Sequence, residues 1–310
     1  MKIRILLLTM LPVICFAQVN PNGEKPAGEL LSKEISPNEM KRNASFNVEE
    51  IKVRWKKAAL ENCAGVPCAP SFTCGTSTIS DIDGNIYETV SIGTQCWTKT
   101  NLKVTKYNNG DEIPDSTNST WGTATIGART GYDVSVVSLN DYVGTFGYLY
   151  NWYAATDSRK LCPDGWHVPT DEEWTILIQA LDPSQVVNSG NVSTFSGIQS
   201  TTAGTVLKSA VTNSIWGIGL GYNPNSPPSP GTNTSGFTAL PGGYRTNFNF
   251  SGGGIGISDL IRLVPHFWSA TEIVGTPVAW FRNLTHLSGN VNRSYYRKDR
   301  NGLSVRCLKD

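Results

Sequence analysis

The sequence predicts a loop-rich globular domain built from short antiparallel strands and one or two helices. Apolar residues alternate over short runs that end at turn dipeptides, in residues 78–104 and again over residues 266–310. That is the pattern of half-buried strands joined by tight turns. Between these regions, residues 170–181 carry helix start signals and an apolar stripe at helical spacing. Thirty glycines, 17 prolines and nine tryptophans suit many turns around a core of large aromatic side chains, and the chain is long enough to bury such a core.

Residues 1–18 read MKIRILLLTMLPVICFAQ, with Lys2 and Arg4 ahead of an apolar stretch closed by Cys15-Phe16-Ala17. This is the layout of a signal peptide over residues 1–17, cleaved after Ala17. The apolar run falls short of the ~20 residues a membrane-spanning helix needs, so no transmembrane segment is expected in the mature chain. The protein is expected to be secreted or held at the cell surface. A lipid anchor at Cys15 is not expected, because a lipid-attachment cysteine normally follows a small residue and Ile14 precedes this one. Residues 18–70 form a polar leader, within which Asn47, Glu50, Ile51 and Trp55 predict a short amphipathic helix over about 47–62. Its basic face, Lys52, Arg54, Lys56 and Lys57, is read as solvated. The folded domain is expected over residues 71–310.

Export places the thiols in an oxidising compartment. Without Cys15, six of the seven cysteines remain: Cys63, Cys68, Cys74, Cys96, Cys162 and Cys307. An even count predicts three disulfides, with the connectivity left open. Their spacing fits no zinc template and His167, His266 and His286 are scattered among them, so neither a metal nor a cofactor is expected.

Within the domain, Gly65, Pro67 and Pro70 mark the entry. Asp83-Gly84 then separates two alternating runs that include Ile86, Thr89 or Val90, and Ile92, which predicts a hairpin. Asp81, Asp83 and Asn85 resemble the start of a calcium loop, but the twelfth position holds Ile92 where such a loop needs a glutamate, so a turn is preferred. Residues 111–141 read as loop with one irregular strand. A helix over 171–181 follows from the Thr170/Glu173 capping box, from Asp171 and Glu172 at its positive end, and from the stripe Trp174, Leu177, Ile178 and Leu181. Residues 182–259 are long polar loops with islands of order at 205–210 and 236–245. The last part predicts strands Phe267–Ala270, Ala279–Leu284, Val291–Tyr295 and Leu303–Leu308, with a tight turn at Asn301-Gly302, forming an antiparallel sheet closed by the C-terminal residues.

The charge balance of 26 basic against 25 acidic residues gives a net +1, and the 16% charged fraction is low. No broad field would gather a polyanion, so nucleic acid is excluded as a partner. Asp171, Glu172 and Glu173 invite an acid/base reading, but capping and the helix dipole account for first-turn acids without catalysis. His167, between tryptophans at 166 and 174, has no nucleophile beside it and reads as a half-buried structural imidazole. Arg293, Arg297, Lys298 and Arg300 form a basic patch read as a solvated hairpin in preference to a polyanion site. No catalytic residue is assigned. Loops presented by a rigid frame are the usual carriers of binding, and Tyr222, Tyr244, Arg245 and Phe248 are the binding candidates, against the alternative that they seal the core.

Seven ordered motifs, IGTQCWTKTNL, FGYLYNWYA, LCPDGWHVPTDEEW, SGFTALPGGYR, FWSATE, AWFRNL and GLSVRCLKD, resemble the Fibrobacter succinogenes major paralogous domain over about residues 74–310. That resemblance implies a secreted protein of Bacteroidetes or Fibrobacteres, and a location more than an activity. GWHVPTDEEW and the closing G-x-x-V-R-C are more distantly similar to the formylglycine-generating enzyme, or sulfatase-modifying factor. That likeness implies an α+β, C-type-lectin-like domain with short antiparallel strands and a long loop excursion. The resemblance implies a Cys162–Cys307 disulfide, closing a loop worth ~4–5 kcal/mol in the chain-entropy model. Proximity then suggests Cys74–Cys96 and Cys63–Cys68.

The reactive C-terminal cysteines of the enzymes and the calcium-binding triplets of the lectins are absent from this chain, so neither activity is carried over. The expected function is a non-catalytic binding module whose partner is a polysaccharide or an envelope protein. An enzyme with an unrecognised site and a structural envelope component are the alternatives.

Overall fold

The structure, a computed structural model, describes residues 71–115, 121, 125–131, 142–184, 196–210, 229, 231–246 and 264–310. The chain divides into two compact units, Met1–Pro70 and Ser71–Asp310, and every described residue belongs to the second. The signal peptide, the leader with its helix, the Cys63–Cys68 pair, Tyr222 and Phe248 lie outside the described residues.

Gly84 takes a φ of 82°, which favours glycine, and turns β1 (Thr78–Ser80) into β2 (Ile86–Ile92), with Ser80 opposite Ile86. Asp81 holds this turn. Its Oδ1 accepts the N–H groups of Asp83 and Asn85 at 3.0 and 2.9 Å, and its Oδ2 accepts Asn85 Nδ2 at 2.9 Å and the Tyr87 hydroxyl at 2.5 Å. The carboxylate is engaged by the turn itself, in keeping with an Asx turn and not with a calcium ligand. This anchor also shifts the phase of β2 from the expected one. Tyr87 and Thr89 face inward, whereas Ile86 is 60% exposed.

Next come β3 (Gln95–Thr98), β4 (Arg129–Thr130), α1 (Tyr142–Phe146), β5 (Leu149–Tyr150), α2 (Trp152–Ala155) and β6 (Trp166–His167). Helix α1 and helix α2 are too short to show a periodicity in sequence. The second forms because Asn151 caps it: Asn151 Oδ1 accepts from Ala154 N and Ala128 N, both at 2.9 Å. Helix α3 (Asp171–Leu181) has the predicted bounds and both halves of the Thr170/Glu173 capping box. Trp174, Leu177 and Ile178 are buried on it. The remaining elements are β7 (Gly197–Ser200), α4 (Ala203–Leu207), β8 (His266–Glu272), β9 (Val278–Leu284), β10 (Val291–Arg297) and β11 (Leu308–Lys309).

Among the described residues the sheets are β1-β2-β3-β11-β6, β7-β10-β9-β8 and the pair β4-β5, and every strand pairing is antiparallel. With four helices beside them, the class is α+β. The second sheet separates two apolar clusters. Trp268, Ala279 and Phe281 belong to one, and Phe267, Leu284 and Val291 join Trp97, Trp174 and Phe237 in the other.

The last predicted strand differs from expectation. It does not close the sheet of β8, β9 and β10. Residues 302–304 pair with Arg245, Tyr150 and Phe267 in turn, and Leu308 then lies between β3 and β6 in the first sheet. The segment thereby stitches both sheets, and residues 301–308 are all buried. Gly302 is needed here for close approach, since a Cβ on it would stand 2.5 Å from the Trp121 ring; the turn expected at Asn301-Gly302 falls slightly earlier, where Asn301 N bonds Arg297 O at 3.3 Å.

Cys162–Cys307 and Cys74–Cys96 are disulfides. The domain also holds buried cations whose partners are oxygen atoms. Arg306 donates to Asn101 Oδ1 at 2.6 Å and to the carbonyls of Thr98, Phe237 and Thr238 at 2.9, 2.8 and 2.9 Å. Burial pulls its pKa down to about 9, but four charge-assisted bonds hold the cation in place. Lys208, also fully buried, reaches the carbonyls of Ser229, Thr285 and Ser288 at 2.6, 3.2 and 2.9 Å.

Asp171 organises a third site. Arg282 Nη1 meets its Oδ1 at 2.6 Å, and Arg293 meets it through Nε at 3.0 Å and Nη2 at 2.7 Å. Gln199 and Thr175 take further N–H groups of Arg282 at 2.7 and 3.1 Å. Arg293 is therefore core, 3% exposed and stacked 3.4 Å over Trp280, which corrects its placement on a solvated hairpin.

Two stability outcomes follow. Replacing Cys162 and Cys307 together by serine should cost ~4–5 kcal/mol, read as a lowered urea midpoint, because 145 residues of separation are released in the unfolded chain. Asp171→Asn should cost ~3–5 kcal/mol in the same assay, since it leaves two buried guanidiniums without their carboxylate.

Candidate functional site

The aromatic end of the second sheet borders a concavity. Strand β10 pairs with β9 so that Tyr295 faces Trp280, Tyr296 faces Ala279 and Arg297 faces Val278. Neighbouring residues on a strand project to opposite faces. Tyr295 stands edge-on to Trp280, ring centres 5.7 Å apart, and is 47% exposed. Tyr296 turns the other way and stacks on Phe281 at 4.3 Å.

A loop crosses that second face. Arg245 exchanges both backbone bonds with Gly302, at 2.8 and 3.0 Å. This fixes Tyr244 beside it, stacked on Tyr296 at 5.4 Å and against the His266 ring at 4.3 Å. Burial, followed by the Tyr244 hydroxyl, pushes the Tyr296 phenol above its ordinary range. Tyr244, Tyr295, Tyr296, Arg297, Arg300 and Asn301 border an open groove of about 380 Å³, which Thr246 and Val278 complete.

The base of this aromatic stack is an uncharged histidine. His266 is buried, its Nδ1 donates to the Val264 carbonyl at 3.2 Å, and burial takes its pKa down to about 3. The wall is thus aromatic and uncharged, and the charge among the described lining residues sits at the rim. There Arg297 grips Asp299 through Nε and Nη2 at 3.1 and 3.0 Å, while Arg300 stands 3.8 Å from the same carboxylate. Lys298 is engaged elsewhere, by Glu272 and over the Trp152 ring.

Of the sequence candidates, Tyr244 is in the groove. Arg245 is not: it is 5% exposed, its Nη1 donates to Thr130 Oγ1 at 2.9 Å, and its guanidinium lies over Trp121. Its geometry is that of a core brace, as the backbone pairing with Gly302 requires its side chain to point inward. The sequence pattern ends the predicted strand at Tyr295 and puts Arg297 and Arg300 on a solvated hairpin, whereas β10 runs on through Tyr296 to Arg297. The signal for the groove was the juxtaposition of two consecutive aromatics with that hairpin.

A second cavity, of about 330 Å³, lies beside His167, Trp166, Cys162, Asp157 and Lys160. The histidine is not alone there. Its Nε2 lies 3.0 Å from Glu173 Oε1 and its Nδ1 2.6 Å from Asp310 Oδ1. A carboxylate on each nitrogen favours the protonated ring, and in that form it donates twice and offers no lone pair to a substrate proton. Glu173 also completes the helix cap and Asp171 is enclosed by arginines, so the three first-turn acids do not converge on this cavity. No cluster of three or more His, Cys, Asp or Glu side chains suited to a metal ion occurs among the described residues.

The family described as the Fibrobacter succinogenes major domain matches residues 90–309. The chain belongs to that family. No curated protein and no solved structure matches it. In this member of the Fibrobacter succinogenes major domain family, the matched span takes in both disulfide cysteines of the long closure, the Asp171 site and the groove.

The two histidines should give stability opposite pH dependences. Glu173, and then Asp310, hold His167 above its ordinary pKa against burial. Its contribution is complete below about pH 6.5 and disappears as pH rises through the raised value. His266 has a depressed pKa, so the folded state refuses the proton that the unfolded chain takes up, and stability falls as pH drops from 6.5 toward about 3. Urea midpoints from pH 5 to 9 should show the alkaline fall flattened in His167→Gln. Between pH 6.5 and 5, above the range of most carboxylates, His266→Gln should lose a slope of ~1.4 kcal/mol per pH unit.

Proposed function

We propose that the domain is a secreted or cell-surface binding module that takes a saccharide in the tyrosine groove. The observation that carries this reading is a preformed concavity with three tyrosines and polar rim groups. Sugar rings present apolar C–H faces that pack on aromatic rings, and hydroxyls that need hydrogen bonds at the edge. Ligand sites combine those features in this way. The wall is held by strand register, stacking and a neutral buried histidine, so little ordering would be lost on binding. Secretion and processing after Ala17 belong to the same proposal, supported by the N-terminal layout, by the two disulfides, and by no helix among the described residues being long and apolar enough to cross a membrane.

We assign the α+β arrangement, on the same footing, to a variant of the C-type-lectin-like fold. Its support is helix α3 following β6, and a disulfide joining Cys162, shortly before β6, to Cys307, next to β11.

Titration of the protein against arrayed oligosaccharides tests the binding reading. Tyr295→Ala removes the most exposed ring of the groove and should weaken retention about tenfold or more, with the thermal midpoint unchanged, because a central aromatic anchor typically contributes over 1 kcal/mol. Retention that survives both Tyr295→Ala and Tyr244→Ala would place the ligand elsewhere.

A further inference from the structure

We infer that the groove selects acidic saccharides, carrying a carboxylate or a sulfate ester, over neutral ones. This rests on the proposed saccharide site and names its substrate class. The argument is a local charge count. Four basic residues lie in the stretch from Arg293 to Arg300. Arg293 is buried in the core against Asp171, which it shares with Arg282, and Lys298 pairs with Glu272 and is largely buried. Two guanidiniums remain at the groove, Arg297 and Arg300, and they share one carboxylate, Asp299. The rim therefore keeps one positive charge in excess on a protein whose overall net charge is only +1.

The geometry of Arg297 sharpens this. Asp299 occupies the edge formed by Nε and Nη2, which orients the planar guanidinium and leaves Nη1 with no partner among the described residues. A guanidinium fixed on one edge presents its other edge as a paired donor, the arrangement that matches a carboxylate or a sulfate. Arg300, 54% exposed at its side chain, can swing toward the same anion. The tyrosines would hold the ring and the arginines would read its acidic substituent. A neutral sugar would meet the same tyrosines but gain nothing from the excess charge.

The test uses the whole protein and three soluble probes of matched length: an oligogalacturonate, a sulfated galactan oligomer and a neutral galactan oligomer. The expected result is about tenfold tighter binding of at least one acidic probe at low salt, a preference that shrinks at high salt as exposed charges are screened. Binding of only the carboxylated or only the sulfated probe assigns the acidic group, and either supports the inference. Arg297→Gln with Arg300→Gln should abolish the preference, with the thermal midpoint unchanged. Equal binding of neutral and acidic probes, still dependent on Tyr295, overturns the acidic selectivity while the saccharide reading stands. A preference that persists in the double variant also overturns it. Absence of binding by all three probes removes both.

Discussion

The burial of the Arg306 guanidinium is the constraint on which the rest of the domain depends. A cation taken out of water demands oxygen atoms in fixed positions, and here they come from the end of β3, from Asn101 and from the 237–238 loop. Those pieces are distant in sequence and must all be in place before the charge can be enclosed. Phe237 and Phe267 cover the cation as well, so the apolar core and the polar cage are set by the same residue. Lys208 repeats the device with three carbonyls, and Asp171 does so with two arginines. These internal braces also dispose of cations that would otherwise lie on the surface.

Much of the fold could be read before any coordinates. Thr170 and Glu173 define a cap by local chemistry alone, and Asp83-Gly84 defines a hairpin by backbone freedom, so α3 and the β1-β2 turn fall where they were expected. The two described disulfides follow from the family resemblance and from proximity. What could not be read depends on partners far along the chain. The inward phase of β2 is set by Asp81 and Tyr87, and the split path of residues 302–308 by three separate neighbours. Helices of four or five residues show no period, and α2 exists because Asn151 is held from two sides.

The candidate site was half legible. Tyr244 is one of several aromatic candidates in the long polar loops, set against the alternative that they seal the core, and it lines the groove. Arg245 stood beside it in sequence, yet the pairing with Gly302 sends it into the core. The basic run from Arg293 to Arg300 looked uniform on paper. In space its members meet different fates, decided by which sheet face each occupies and which carboxylate waits there. A one-dimensional charge cluster thus resolves into one core ion pair, one strand-edge pair and a small residual charge at the rim.

The stitching segment has a consequence for how the domain comes into being. Its contacts to Tyr150, Arg245 and Phe267, its disulfide to Cys162 and its place between β3 and β6 are all made with residues synthesised earlier. An emerging chain can form the capped helix and the first hairpin, which are local, but the first sheet is not complete until Leu308 is available. Folding is therefore dominated by late, long-range closure, a topology that slows it and prolongs exposure of apolar surface. Until residues 302–308 are made, the pieces they join can be formed but not fastened together.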